Sequence, residues 1–287
     1  MSDIKVVLIK ITSKCNYNCD FCRSEKDRKS DLSTKKIFSL LKELKNLGVT
    51  TILISGGEPT LRKDIINIIK KACDYGLQVK LSTNGELLNI DSMIELQNAG
   101  VNVLHFSVGD MSDEGRTNKV FKKIRAFEQY KKKMSISLSV ITTSAFVKNI
   151  SHYLSYIDQN GQMDIIEFIA PKFYNNKAWY LKNRLTTTSE INFFEYINQY
   201  NFDKRTVFSC GYKQLGQCPL VMENLYFFSI TSDGEVYKCP YSETERYYIG
   251  DIKKESVRTL VRKYKNKSTD GNLLPCILEG EVVCSCN

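Results

Sequence analysis

The chain has 287 residues, 42% apolar and 25% charged, with 15 glycines and 5 prolines; a composition of this kind excludes collagenous and disordered classes, and the length can bury a core without disulfide staples. There are 41 basic and 32 acidic residues, a net charge of +9, with the lysines dispersed over helical stretches such as 116–133 and 257–267 in the manner of solvated helix faces, which argues against a nucleic-acid partner. The longest apolar runs, VVLI and LYFF, are too short to cross a bilayer, and MSDIKVVLIKITSKC carries no apolar signal region, so the expected location is the cytoplasm with no membrane partner.

In chain order, KVVLIKI (5–11) reads as a strand running into a cysteine cluster. Ile37, Leu40, Leu41, Leu44 and Leu47 recur at helical spacing and stop at Gly48. TTILIS (50–55) reads as a buried strand, followed by a glycine turn and a helix carrying Ile65, Ile68, Ile69, Ala72 and Cys73. LQVKLS (77–82), VNVLHFSV (101–108), SISLSVIT (135–142) and DIIEFIA (164–170) continue the series with helices between them. Six strands alternating with helices over short loops imply a parallel sheet with right-handed crossovers, either open or closed into a barrel. After about residue 172 the pattern breaks. A polar, aromatic stretch leads to one helix (189–200), then to a cysteine-rich tail in which LYFFSIT and EVYKCPY flank SDG, a hairpin signal. The domain boundary is expected near 200, giving units 1–200 and 201–287.

Ten cysteines against two histidines point to thiolate metal or redox chemistry, which favours zinc or iron–sulfur over copper, nickel or non-haem iron. Cys15, Cys19 and Cys22 form C-x3-C-x2-C directly after the first strand. Three thiolates leave a structural zinc one ligand short, whereas a 4Fe–4S cubane tolerates three and keeps one iron open. Cys73 lies on the apolar face of its helix and reads as core, as does His105 in its strand. Trp179 and its neighbouring tyrosines read as interdomain packing, with a substrate entrance as the alternative.

C-x3-C-x2-C with Phe21 before its last cysteine, then Gly56-Gly57-Glu58-Pro59 after the second strand, Ser82 and Asn84 in STNG after the third, and Ser107 ending the fourth together resemble the radical S-adenosylmethionine (SAM) enzymes. The resemblance implies an α/β fold, a partial (β/α)6 barrel of parallel strands with its ligands at the C-terminal strand ends. It implies that Cys15, Cys19 and Cys22 hold a 4Fe–4S cluster that binds SAM. GGEP would meet the SAM amino group, with the Glu58 carboxylate free for a charge-assisted bond to the ammonium, while Ser82 and Asn84 would lie at the ribose and Ser107 would support the cofactor. Reductive cleavage of SAM to a 5′-deoxyadenosyl radical, followed by hydrogen abstraction from a substrate, is the implied chemistry.

Cys218-x15-Gly234-x4-Cys239 is similar to the opening of the SPASM and twitch extensions of that family, which implies a small, cysteine-rich α+β domain. A full SPASM domain would continue C-x2-C-x5-C-x3-C. Cys276-x7-Cys284-x-Cys286 departs from that pattern, so one auxiliary cluster, 4Fe–4S by resemblance, is expected on Cys218, Cys239 and Cys276 with Cys284 or Cys286 as fourth ligand. Cys210 is then a spare thiol, an alternative ligand or a hydrogen-atom donor. The expected substrate is a ribosomally made peptide to be crosslinked, oxidised or epimerised, with a flavodoxin- or ferredoxin-type protein as one-electron reductant. The alternatives are a dehydrogenase or epimerase of a small molecule such as an aminoglycoside or cyclitol, and a zinc-stabilised nucleic-acid-binding protein.

Overall fold

The computed structural model describes residues 4–22, 30–172, 176–200, 202, 204–209, 212, 226–239 and 245–268. Its first six strands are β1 (Ile4–Lys10), β2 (Thr51–Ser55), β3 (Gln78–Thr83), β4 (Val101–Ser107), β5 (Ser135–Ile141) and β6 (Ile165–Ile169). Each pairs in parallel with the next, as the alternating sequence requires. The intervening helices are α1 (Thr34–Asn46), α2 (Ile65–Asp74), α3 (Ile90–Ala99), α4 (Glu114–Phe127), α5 (Ser144–Lys148) and α6 (Ile150–Asn160).

Strand periodicity sorts the side chains into two faces. Ile9, Ile54, Leu81, Leu104 and Ile136 lie side by side across five strands, and all are buried in one core with the apolar stripes of the helices, among them Leu41, Ile69, Met93 and Phe121. Removing such a side chain from water contributes about 1.5–3 kcal/mol each. The other face reads differently. Ser82, His105 and Ser137 share one row, and Ser107, Ser139 and Glu167 share the next. An ordinary closed barrel fills this space with layers of branched apolar side chains; here the concave side of a partial barrel is polar.

Two features go beyond the expected six-strand series. Helices α7 (Lys177–Asn183) and α8 (Thr187–Gln199) lead to a seventh strand, β7 (Arg205–Phe208), which is parallel to β6. The predicted hairpin is present as β8 (Tyr226–Ile230) and β9 (Glu235–Tyr237), turning at Gly234 with φ of 102°. β10 (Tyr248–Asp251) pairs with β9, and α9 (Val257–Ser268) follows. However, β8 also pairs in parallel with β1. All ten strands therefore form one sheet, ordered β10-β9-β8-β1-β2-β3-β4-β5-β6-β7, which runs unbroken across the boundary expected at residue 200. Among the described residues, no helix is long and apolar enough to cross a membrane.

Candidate active site

The loop carrying the cysteines is delivered by backbone pairing that outlasts β1. Ile11 N–H donates to Ser55 O, Gly57 N–H to Thr12 O and Glu58 N–H to Lys14 O, at 2.9, 2.8 and 2.8 Å. Approach this close leaves no room for side chains: a Cβ on Gly56 would overlap the Thr12 carbonyl, and one on Gly57 the Lys14 carbonyl. The glycine pair is thus needed first by the protein's own chain. Asp31 anchors the same loop by accepting from Thr12 Oγ1 at 2.6 Å and Ser13 N–H at 2.9 Å. Arg62 donates to the carbonyls of Ile11 and Leu32 and forks onto Asp64. That hydrogen bond is the main reason the Asp64 carboxyl is held down to about 2.

Cys15, Cys19 and Cys22 are half-buried on this loop. Tyr17 N–H donates to Cys15 Sγ at 3.4 Å, and Cys22 N–H to Cys19 O at 3.1 Å. Burial pushes the Cys15 thiol up, and the charges of Cys22, Glu58 and Cys19 add to the effect. Among the described residues, no three His, Cys, Asp or Glu side chains are arranged to hold a single metal ion. A cubane takes its thiolates at separate iron corners and deprotonates each on binding. Three soft, accessible donors on one short loop fit such a cluster.

Gly56, Gly57, Glu58 and Pro59 follow β2, Ser82 and Asn84 lie at the end of β3, and Ser107 ends β4. Glu58 turns its carboxyl group to the protein's own donors. It is fully buried; Oε1 accepts from Thr60 N–H, Thr60 Oγ1 and Thr83 Oγ1, and Oε2 from Asn84 N–H at 2.7 Å. A carboxyl group buried in this way needs hydrogen-bond partners, and through these Glu58 ties the GGEP turn to the STNG turn. Pro59 starts a 3-10 turn, Pro59–Leu61. Asn84 reaches the cysteine loop, with Nδ2 donating to Asn16 Oδ1 at 2.8 Å. Ser107 ends β4, and its carbonyl accepts from Arg116 Nη2 at 2.9 Å.

Residues 9–150 match the family model of the Radical SAM superfamily. They form a radical SAM domain. The chain is 31% identical over 191 residues to the PqqA peptide cyclase of Bradyrhizobium diazoefficiens, covering 62% of this chain and 48% of that protein; it thus spans about half the length of that relative. It is 25% identical over 281 residues to a probable GTP 3′,8-cyclase of Sulfolobus acidocaldarius, covering 90% and 88%. Among solved structures, SuiB of Streptococcus suis bound to S-adenosylmethionine aligns with a TM-score of 0.69 at 15% identity, covering 88% of this chain and 64% of that one. Native anSMEcpe with bound AdoMet aligns at 0.68 and 19%, covering 96% and 84%. At these identities the structural likeness establishes the partial-barrel fold.

On the concave face, His105, which strand periodicity placed in the core, is joined by Glu167. His105 Nδ1 lies 2.9 Å from Ser137 Oγ, and its Nε2 is 3.7 Å from Glu167 Oε2. Their side chains are 18% and 23% exposed, so both are reachable from the interior of the partial barrel. Burial lowers the His105 pKa and outweighs the opposing pull of Glu167. Glu167 was legible as the charge inside the apolar run IIEFI of β6. Trp179 on α7 packs on Phe21, with ring centroids 5.7 Å apart, and so covers the cysteine loop. Cys73 is half-buried against the core, its Sγ donating to Gly100 O at 3.4 Å. Of the tail cysteines, Cys239 is half-buried after β9, where its carbonyl accepts from Ser229 Oγ; Cys210, Cys218, Cys276, Cys284 and Cys286 lie outside the described residues.

Proposed function

We propose that this radical SAM enzyme abstracts a hydrogen atom from a ribosomally made peptide, in a reaction that ends in a crosslink, an oxidation or an epimerisation. The observation that carries the reading is the 31% identity to a peptide cyclase over 191 residues, a span longer than the radical SAM domain itself. When bound, the cluster and SAM supply one-electron cleavage of the sulfonium and the radical that takes the hydrogen. The chain's own residues do the rest. Cys15, Cys19 and Cys22 would hold the cluster. The backbone of Gly56 and Gly57, with Pro59 fixing the turn, would receive the SAM methionyl group, and Ser82, Asn84 and Ser107 would flank its other end. Glu58 keeps the two turns in register. Substrate would lie along the polar concave face, where Ser139, His105 and Glu167 offer hydrogen bonds in a space partly shielded from water.

The reading extends to residues 201–287 as an auxiliary-cluster unit, held by Cys218, Cys239, Cys276 and one of Cys284 and Cys286, with Cys210 as a candidate hydrogen donor. A flavodoxin- or ferredoxin-type reductant and a cytoplasmic location complete it. A second reading, a small-molecule substrate such as a nucleotide, draws on the match to a probable GTP 3′,8-cyclase along 90% of the chain. The radical SAM assignment leaves the zinc and nucleic-acid reading without support. Anaerobically reconstituted protein should be incubated with SAM, a reductant and deuterated forms of short peptides encoded beside its gene, in parallel with deuterated GTP. Deuterium appearing in 5′-deoxyadenosine from a peptide is the expected result. Transfer from GTP and from none of the peptides would replace the first reading with the second.

A further inference from the structure

Arg116 belongs to none of the sequence motifs, yet it joins the cysteine loop to the end of β4. It stands third in α4, where Asp113 Oδ1 accepts its N–H at 2.9 Å. A cation in the first turn opposes the helix macrodipole, and Glu or Gln is the residue favoured three places after a cap. A local rule broken in this way marks a residue held for another purpose. The guanidinium reaches over the cysteine loop. Its Cζ lies 4.4 Å from the centre of the Tyr17 ring; Nη2 donates to Ser107 O at 2.9 Å and Nη1 to Cys19 Sγ at 3.6 Å. Its Nε is buried and has no acceptor, and none of the described ion pairs includes Arg116. Tyr17 is itself fixed, its hydroxyl donating to Glu86 Oε2 at 2.6 Å. The result is a clamped positive charge, without a carboxylate partner among the described residues, pointing an N–H at one of the three cysteine sulfurs.

We propose that Arg116 is a positioning residue that sets the reduction potential of the N-terminal cluster through its N–H···S bond to Cys19. The inference rests on the assignment of Cys15, Cys19 and Cys22 to that cluster. Reduction adds negative charge that spreads onto the ligand sulfurs, and a donor or cation beside a sulfur stabilises the reduced form. The planar guanidinium suits the task because it can stack on Tyr17 and still donate in its plane to both Ser107 O and Cys19 Sγ; a lysine cannot do both.

The test uses the full chain, reconstituted anaerobically with iron and sulfide and titrated potentiometrically by electron paramagnetic resonance without SAM or substrate. The N-terminal signal is identified by its loss in the variant C15A/C19A/C22A. R116Q should keep wild-type iron content while its midpoint becomes more negative. At the wild-type midpoint potential, its ratio of reduced to oxidised cluster should fall about tenfold, or about 59 mV for a one-electron couple. R116K, which keeps the charge and loses the fork, should lie between the two. An unchanged midpoint in R116Q with full iron overturns the proposal. Loss of iron in both variants also overturns it, making Arg116 a brace for the loop. So does weakened SAM binding with no shift in midpoint, which would make Arg116 a SAM ligand. Wild-type protein that takes up no iron on these cysteines would overturn the cluster assignment itself, and this inference with it.

Discussion

The two faces of the β1–β6 sheet are built from the same strands, residue by residue in alternation, yet they have opposite character. On the convex side, Leu104, Phe106, Leu138, Val140, Ile166 and Phe168 are fully buried under helices. On the concave side, their immediate neighbours His105, Ser107, Ser137, Ser139 and Glu167 form polar rows, and His105 and Glu167 retain access. One face holds the strands in place; the other, with the loops at its C-terminal rim, is polar and is the face to which the proposed chemistry is assigned. The difference teaches that stability and function are separable here at single-residue spacing, because successive side chains of a strand cannot share a face.

Four variants bear on that separation. The largest effect belongs to the rim. Replacing Cys15, Cys19 and Cys22 together with alanine should abolish 5′-deoxyadenosine formation while leaving the unfolding midpoint close to that of the cluster-free wild type, since the half-buried thiols add little to the core. Residual SAM cleavage by the triple variant would remove these cysteines from the site. Next comes the convex face. Phe168→Ala, in a cluster with Phe146, Phe193 and Phe208, should cost about 3–5 kcal/mol in urea unfolding, against less than about 1 kcal/mol for His105→Gln two strands away. Equal costs would show the concave face to be packed core. An effect smaller than that of Phe168→Ala lies where the faces meet the rim. Glu58→Gln puts an amide donor among the donors of Thr60, Thr83 and Asn84 and should cost about 1–3 kcal/mol, with SAM affinity falling as the two turns loosen. Weaker SAM binding at unchanged stability would instead restore a direct contact between Glu58 and the cofactor.

Much of this was legible along the chain. The six core strands and their order follow from apolar runs punctuated by glycine, and the cysteine spacing with GGEP and STNG is local enough to survive without coordinates. Glu58 illustrates where legibility ends. Its place in the turn is a sequence fact, but the direction of its carboxylate depends on Thr83 and Asn84, which lie 25 and 26 residues further on. Arg116 is the same case over a longer reach, meeting Cys19 across 97 residues. The strand β7 has four residues, RTVF, too few for an alternation to declare itself, and α7 is seven residues capped by Asn176 inside a stretch that reads as polar loop.

The sequence by itself determined the α/β class, the parallel order of the first six strands, the thiolate-rich site and its position at the strand ends, because each depends on residues near one another in the chain. Tertiary structure decided the rest. It placed β8 beside β1, so that the tail hairpin extends the same sheet; it turned Glu58 inward; and it brought Arg116 over Tyr17 onto Cys19. A strand edge, a buried carboxylate and a guanidinium each take whichever donor or acceptor the packed chain brings within hydrogen-bond reach, and sequence separation does not enter that choice.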